Sequence, residues 1–163
     1  MSVSQATERP SGLLYTVAAL SLLAALIHLW VMPEHFEEWW GYGAFFLVAA
    51  VAQVIYVPLL LRWPSRTVLL LGIAGNSAIV LLYLFTRVVG IPLLGPEAWE
   101  VEGVGIIDMC ATSSEAAIVV ALGALVLSRL ARERTTLIGL VLSAMLLLAA
   151  HLPHLLLLLV ALL

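Results

Sequence analysis

The sequence contains no lysine, a single cysteine and few charged residues, which make up 10% of the chain. Soluble domains carry roughly a quarter charged residues, whereas 64% of these 163 residues are hydrophobic and the mean hydropathy is +1.16. Such a composition cannot build a water-facing surface. It therefore excludes a soluble enzyme, a nucleic-acid-binding protein and a disordered tail. The lone Cys110 also excludes an internal disulfide scaffold.

Long apolar runs occupy most of the chain, and no period-two alternation accompanies them. Five of these runs are long enough to cross about 30 Å of hydrocarbon as helices. They lie near residues 13–32, 42–61, 67–86, 105–128 and 137–161. We therefore predict an all-α fold, in which one bundle of five transmembrane helices covers residues 13–163 and follows a polar cytoplasmic tail at 1–12.

The basic residues are distributed unevenly between the two sides of this predicted bundle. Arg87 is the one arginine on its side, and the other six lie in the tail and in the loops after spans two and four. The positive-inside rule therefore predicts that the N-terminus faces the cytoplasm and the C-terminus faces outwards. All basic residues other than histidine are arginine, which is typical of GC-rich bacterial genes. This favours a location in a bacterial cytoplasmic membrane.

The segment after the first span combines a helix breaker with acidic and aromatic residues. Pro33 lacks the backbone N–H that a helix interior needs, but it can begin a new helix. In the segment 33–40, Phe36, Trp39 and Trp40 share one helical face. This pattern predicts a short helix at 33–40 in the headgroup region, either as a plain anchor or as a cover that carries His35 over a site beneath it.

Ionisable side chains within the spans are costly, and for this reason they are usually functional. Span one carries His28, span four carries Asp108 and Glu115 on one helical stripe, and span five carries His151 and His154. In the predicted orientation all five lie at the mid-membrane level or closer to the outer face. The sequence therefore predicts a polar pocket in the outer half of the bundle, capped by the helix at 33–40.

Imidazole and carboxylate groups together suit zinc, iron or copper. The candidate metal ligands are His28, His35, Asp108, Glu115, His151 and His154. Gln53, Asn76 and Tyr83 are expected to hydrogen-bond these ligands from outside and to fix their orientation. Glu115 or Asp108 is the candidate general base. The established metal motifs H-E-x-x-H and C-x-x-C are absent, so the prediction depends on residue type and depth alone.

These features predict an integral membrane protein with a His/carboxylate metal site and, as its substrate class, a lipid-soluble small molecule; whether it is an enzyme stays open. One alternative is a b-type haem protein in which His28 and either His151 or His154 bind the iron. Others are an ion or proton pathway, and a non-catalytic accessory subunit that binds a membrane protein partner. In a purely structural interpretation, Glu115 and His151 form a hydrogen-bonded pair that joins spans four and five. The expected surroundings are membrane lipid, with no nucleic acid.

Overall fold

The computed structural model describes residues 12–91, 95–96 and 98–161, with side chains as far as residue 144. Four α-helices follow one another: α1 (Gly12–Glu38), α2 (Trp40–Arg62), α3 (Arg66–Val88) and α4 (Ile106–Ala161). No strand occurs among these residues, which confirms the all-α class. Four helical segments are long and apolar enough to cross a membrane, namely α1, α2, α3 and the stretch Ile106–Ala144. The tail predicted at 1–12 lies outside the described residues except for Gly12.

The chain divides into two units, Met1–Ala124 and Leu125–Leu163. The first unit contains α1, α2, α3 and the beginning of α4. In the second unit the described backbone is helical to Ala161, and the hydroxyls of Thr135 and Thr136 donate to carbonyl oxygens one turn earlier. Residues 137–142 are exposed, and because most of them are apolar, this part of the helix has an apolar surface.

The sequence predicted a loop between spans four and five, at about residues 129–136. The helix α4 is continuous there, so the backbone has no break. The segment 129–134 consists of arginine, leucine, alanine and glutamate, and it has no glycine or proline. Since these residues favour helix, nothing local ends α4 there. Arg129, Arg132, Glu133 and Arg134 still give this segment a strongly polar character. The count of five helices is therefore not confirmed, and the count of five membrane crossings stays a prediction.

The separate interfacial helix predicted at 33–40 is wrong, since α1 runs without interruption through Pro33 to Glu38. A proline removes one backbone hydrogen bond from a helix, and membrane helices tolerate this loss because neighbouring helices, hydroxyl side chains or local changes in helix geometry satisfy the freed carbonyl group. The break falls instead at Trp39, whose backbone is extended. Pro58 lies within α2 in the same way.

Both α1 and α2, which pack against each other, contain small buried residues. Ala24 and Ala25 of α1, and Ala49 and Ala50 of α2, are all buried. Side chains this short let two helix backbones approach closely, which is the usual means of helix association in lipid. The buried hydroxyl of Ser21 also donates to the carbonyl oxygen of Gln53 at 3.1 Å. One residue, Trp39, links the two helices, so they form a tight antiparallel hairpin.

The connection between α3 and α4 turns back onto the end of α3. Gly90 has a φ of 80°, and a Cβ at this position would collide with the backbone of Glu100, so glycine is required there. The backbone N–H of Glu102 then donates to the carbonyl oxygen of Thr86 at 3.2 Å. This contact brings the side chain of Glu102 to the guanidinium group of Arg87.

Candidate functional site

A cavity of about 590 Å³ lies in the first unit, where the end of α1, the beginning of α2, the end of α3 and the beginning of α4 meet. Its walls are largely apolar, with Val31, Phe46, Ile79 and Leu82 among the residues that line it. Its volume is in the usual range for sites that take up a small molecule. A few polar side chains are concentrated at the buried end and at the rim.

Three polar residues from three helices meet at the buried end of the cavity. Glu115 of α4 is fully buried, while His28 of α1 and Gln53 of α2 are 3% and 5% exposed. The Nε2 atom of His28 lies 2.9 Å from Oε1 of Glu115, and Nε2 of Gln53 donates to the same oxygen at 3.0 Å. An ionised carboxylate can only accept hydrogen bonds, so with Glu115 ionised the hydrogen of His28 is on Nε2.

Each member of this cluster also has a second buried polar atom. Nδ1 of His28, Oε1 of Gln53 and Oε2 of Glu115 have no hydrogen-bond partner among the described residues. Buried polar atoms are nearly always hydrogen-bonded, so three such atoms in one cluster need a reason. His28 and Glu115 line the cavity, where a bound molecule can reach them.

A second polar cluster lies at the rim, around Arg87. Its Nη1 atom donates to Glu102 and to Oγ1 of Thr86, and its Nη2 atom donates to Oδ2 of Asp108 at 3.0 Å. The guanidinium carbon lies 4.4 Å from the centre of the Tyr83 ring, which is a cation–π distance. Arg87 therefore joins the end of α3 to the beginning of α4 and to the loop between them.

His35 lines the same cavity, and among the described residues no hydrogen bond joins it to either cluster. Its Nδ1 atom is 2.9 Å from the carbonyl oxygen of Val31, one turn earlier in α1, and its ring centre is 4.2 Å from that of Phe46. The sequence predicted that a separate helix beginning at Pro33 carries His35 as a cover over the site, and that helix is not present because α1 runs through Pro33. Since α1 is continuous, seven residues separate the two histidines by about 10 Å along the helix.

The structure brings together some of the predicted site residues and separates others. His28, Glu115 and Gln53 are in direct contact, and Asp108 lines the same cavity near its rim. Asn76 is buried but donates to Gly72 of its own helix and does not contact the cluster. The side chains of His151 and His154 lie outside the described part of the chain.

No three His, Cys, Asp or Glu side chains lie close enough to hold a metal ion, among the side chains that the structure describes. Two of the predicted ligands, His28 and Glu115, are adjacent. Sequence reasoning missed the position of Glu102 on Arg87 and that of Phe46 between His28 and His35. Loop geometry determines the first, and no sequence signal marks it.

The buried cluster is suited to the binding of a polar group. Oε2 of Glu115 and Nδ1 of His28 have no hydrogen-bond partner among the described residues, so a polar group of a bound molecule can pair with them. The pairing with Glu115 orients the ring of His28, as a carboxylate does for the imidazole of many catalytic and metal sites. No protein-family model, curated protein or solved structure matches the chain.

Proposed function

We propose that this chain is an integral membrane protein that binds a lipid-soluble small molecule in the cavity, with the polar part of that molecule against Glu115 and His28. The observation that carries the proposal is the fully buried Glu115, whose Oε1 lies within hydrogen-bond distance of His28 and Gln53 and whose Oε2 has no partner among the described residues, at the end of an apolar cavity. A binding site for a small molecule typically combines such walls with a few precisely placed polar groups.

The arginine distribution supports a location in a bacterial cytoplasmic membrane with the N-terminus inside. In this orientation the cavity opens at the outer face, because α1 ends there and α2 begins there. A fifth crossing formed by residues 137–161 then places the C-terminus outside. Four apolar helical segments are compatible with this arrangement.

The binding proposal is tested with a small uncharged photoreactive probe, 3-trifluoromethyl-3-phenyldiazirine, on the detergent-purified protein. After illumination, mass spectrometry locates the labelled residues. We expect labelling at the cavity residues Ile79 and Leu82, and we expect Ala111→Trp to abolish it because Ala111 is buried and lines the cavity. Ala117→Trp is the matched control, since Ala117 is exposed on the same helix and does not line the cavity.

Labelling of the exposed residue Leu71 serves as the internal reference, because detergent-facing side chains are labelled whether or not the cavity is filled. Thermal melting of both tryptophan variants establishes that they are folded. Equal labelling of Ile79 and Leu82 in the unmodified protein and in folded Ala111→Trp would show that the cavity does not bind the probe, and the proposal would then be abandoned.

A metal site is the second candidate function, and it is favoured by Nδ1 of His28, which has no hydrogen-bond partner within the described part of the chain. In metal proteins, a carboxylate commonly holds one ring nitrogen of a histidine while the other nitrogen binds the metal. His28 and Glu115 have this arrangement. The sequence offers His151 and His154 as the further ligands for zinc, iron or copper. Asp108 and His35, the other ligands predicted from the sequence, each lie about 10 Å along their helices from Glu115 and His28, respectively, and are not part of this candidate.

Metal binding is tested by loading the purified protein with Zn²⁺ or Cu²⁺ alone, removing the free ion and measuring metal content. We expect close to one ion per chain, and we expect His28→Ala to lose it. His35→Ala is the control, because His35 lines the same cavity without touching Glu115. A metal content that is negligible, or that does not change in His28→Ala, would rule the metal candidate out.

The same preparation tests the haem alternative without further work. Haem b held by His28 and by His151 or His154 gives a red protein with a Soret absorption band. A colourless preparation from haem-replete cells eliminates this alternative. Co-purification of a second polypeptide at a fixed ratio, with no metal and no labelling of the cavity, would instead favour an accessory subunit.

A further inference from the structure

The charges around the cavity are strongly one-sided. Five carboxylates line it among the described residues: Glu34, Glu38, Glu102, Asp108 and Glu115. Arg87 is the one guanidinium group in this lining, and two of those carboxylates already bind it. With neutral imidazoles the lining has a formal excess of four negative charges. A cavity of this kind attracts cations and repels anions, most strongly where water is scarce.

Aromatic rings are the second feature of this lining that favours a cation. Trp39, Phe45 and Phe46 line the cavity, and the rings of Phe45 and Phe46 meet edge to face. The faces of aromatic rings attract organic cations and also pack against their apolar groups. Arg87 above Tyr83 is an example of this contact within the protein itself. The apolar walls exclude a strongly hydrated ion, so they favour a cation that carries its own hydrophobic groups.

The buried end of the cavity provides an independent indication of a ligand. Glu115 is fully buried and lines the cavity, and its Oε2 atom has no partner among the described residues. Two donors, from His28 and Gln53, satisfy Oε1 alone. Along α4, Glu115 lies about 10 Å below Asp108, so carboxylates are present at both ends of the cavity.

We propose that the guest is a lipophilic organic cation, in which aromatic or alkyl groups surround one positively charged centre. This inference rests on the proposed binding function of the cavity and specifies its ligand class. The cation enters past the carboxylates at the rim, packs between the aromatic rings and the aliphatic walls, and places its charge within reach of Glu115.

The test compares two ions of almost the same size and shape but of opposite charge, tetraphenylphosphonium and tetraphenylborate. Saturable binding of each radiolabelled ion is measured in separate titrations, on the full chain in an uncharged detergent at low ionic strength. We expect tetraphenylphosphonium to bind at least about ten times more tightly than tetraphenylborate, because the charge excess favours one ion and opposes the other.

Substitutions at the rim then locate the source of this selectivity. The double variant Glu34→Gln with Glu38→Gln removes two lining charges at the end of α1, and we expect it to weaken tetraphenylphosphonium binding by about 3–10-fold. Glu37→Gln is the matched control, because Glu37 is exposed on the same helical turns but does not line the cavity. We expect no change in that variant.

The outcomes separate this inference from the function on which it rests. Equal affinity for the two ions would overturn the cationic guest, and so would an equal effect of Glu37→Gln and of the double substitution. In either case, photolabelling of the cavity would still support a binding site. Absence of saturable binding for both ions together with cavity photolabelling also overturns the cationic guest. If neither ion binds and the cavity is not labelled, both the inference and the proposed function are wrong.

Discussion

Replacement of Glu115 by alanine should lower the stability of the protein more than any other single change in the cavity. The substitution leaves Nε2 of His28 and Nε2 of Gln53 buried without their acceptor. An orphaned buried donor costs about 1–3 kcal/mol, so the loss in the free energy of unfolding should be at least about 2 kcal/mol. Thermal melting in detergent should show a fall in Tm of about 4–8 °C.

Glu115→Gln is the control for this prediction, because it keeps the shape of the side chain and one acceptor oxygen. That oxygen can still accept from His28 and Gln53, so we expect a clearly smaller fall in Tm. An alanine variant as stable as the unmodified protein would mean that the three residues do not form the buried cluster. The Ala111→Trp protein, which fills the cavity and leaves Glu115 in place, tests separately whether the cavity must stay open.

Replacement of Arg87 by alanine should release the loop that leads into α4. The guanidinium group holds Glu102 and Asp108 together, and its removal leaves their two carboxylates to repel each other. Because these carboxylates are partly exposed, solvent screening reduces the effect on stability to about 1–2 kcal/mol. The larger effect is local: amide hydrogen exchange should become faster in residues 98–105, where the N–H of Glu102 bonds to Thr86.

Arg87→Lys separates charge from geometry at this position. A lysine keeps the positive charge, but it cannot extend two branches towards Glu102 and Asp108 at once or lie flat on Tyr83 in the same way. We therefore expect exchange rates between those of the alanine variant and the unmodified protein. Unchanged exchange in Arg87→Ala would show that backbone contacts alone hold the loop.

Composition and the length of apolar runs were sufficient to predict the all-α class and the approximate bounds of α1, α2 and α3. The predicted helix ends were wrong where a rule for soluble helices was applied to an apolar segment or where side-chain polarity was taken to end a helix. Pro33 ends a helix in water more readily than in an apolar segment, where α1 continues through it. The arginines after residue 128 mark a polar segment, but side-chain polarity does not by itself interrupt a helix.

For the site, depth in the membrane was the useful signal. Gln53 and Glu115, which the sequence places at the same depth near the middle of the membrane, are in contact in the structure. His28 was expected nearer the outer face, but it meets Glu115 as well, because α1 continues to Glu38. The sequence could not identify which partner each residue has, because rotation of a helix about its axis is determined by packing. Asn76 illustrates this limit, since it has the predicted burial but bonds within its own helix.

The single residue between α1 and α2 limits how the cavity can change its width. One extended residue spans at most about 3.6 Å, so the end of α1 and the beginning of α2 cannot move apart by more than a fraction of a helix diameter. Packing of the Phe36 ring directly on Gly43 restricts these two helix ends further. A bulky molecule must therefore gain space by displacement of the end of α3 and the beginning of α4, because the hairpin of α1 and α2 stays in place.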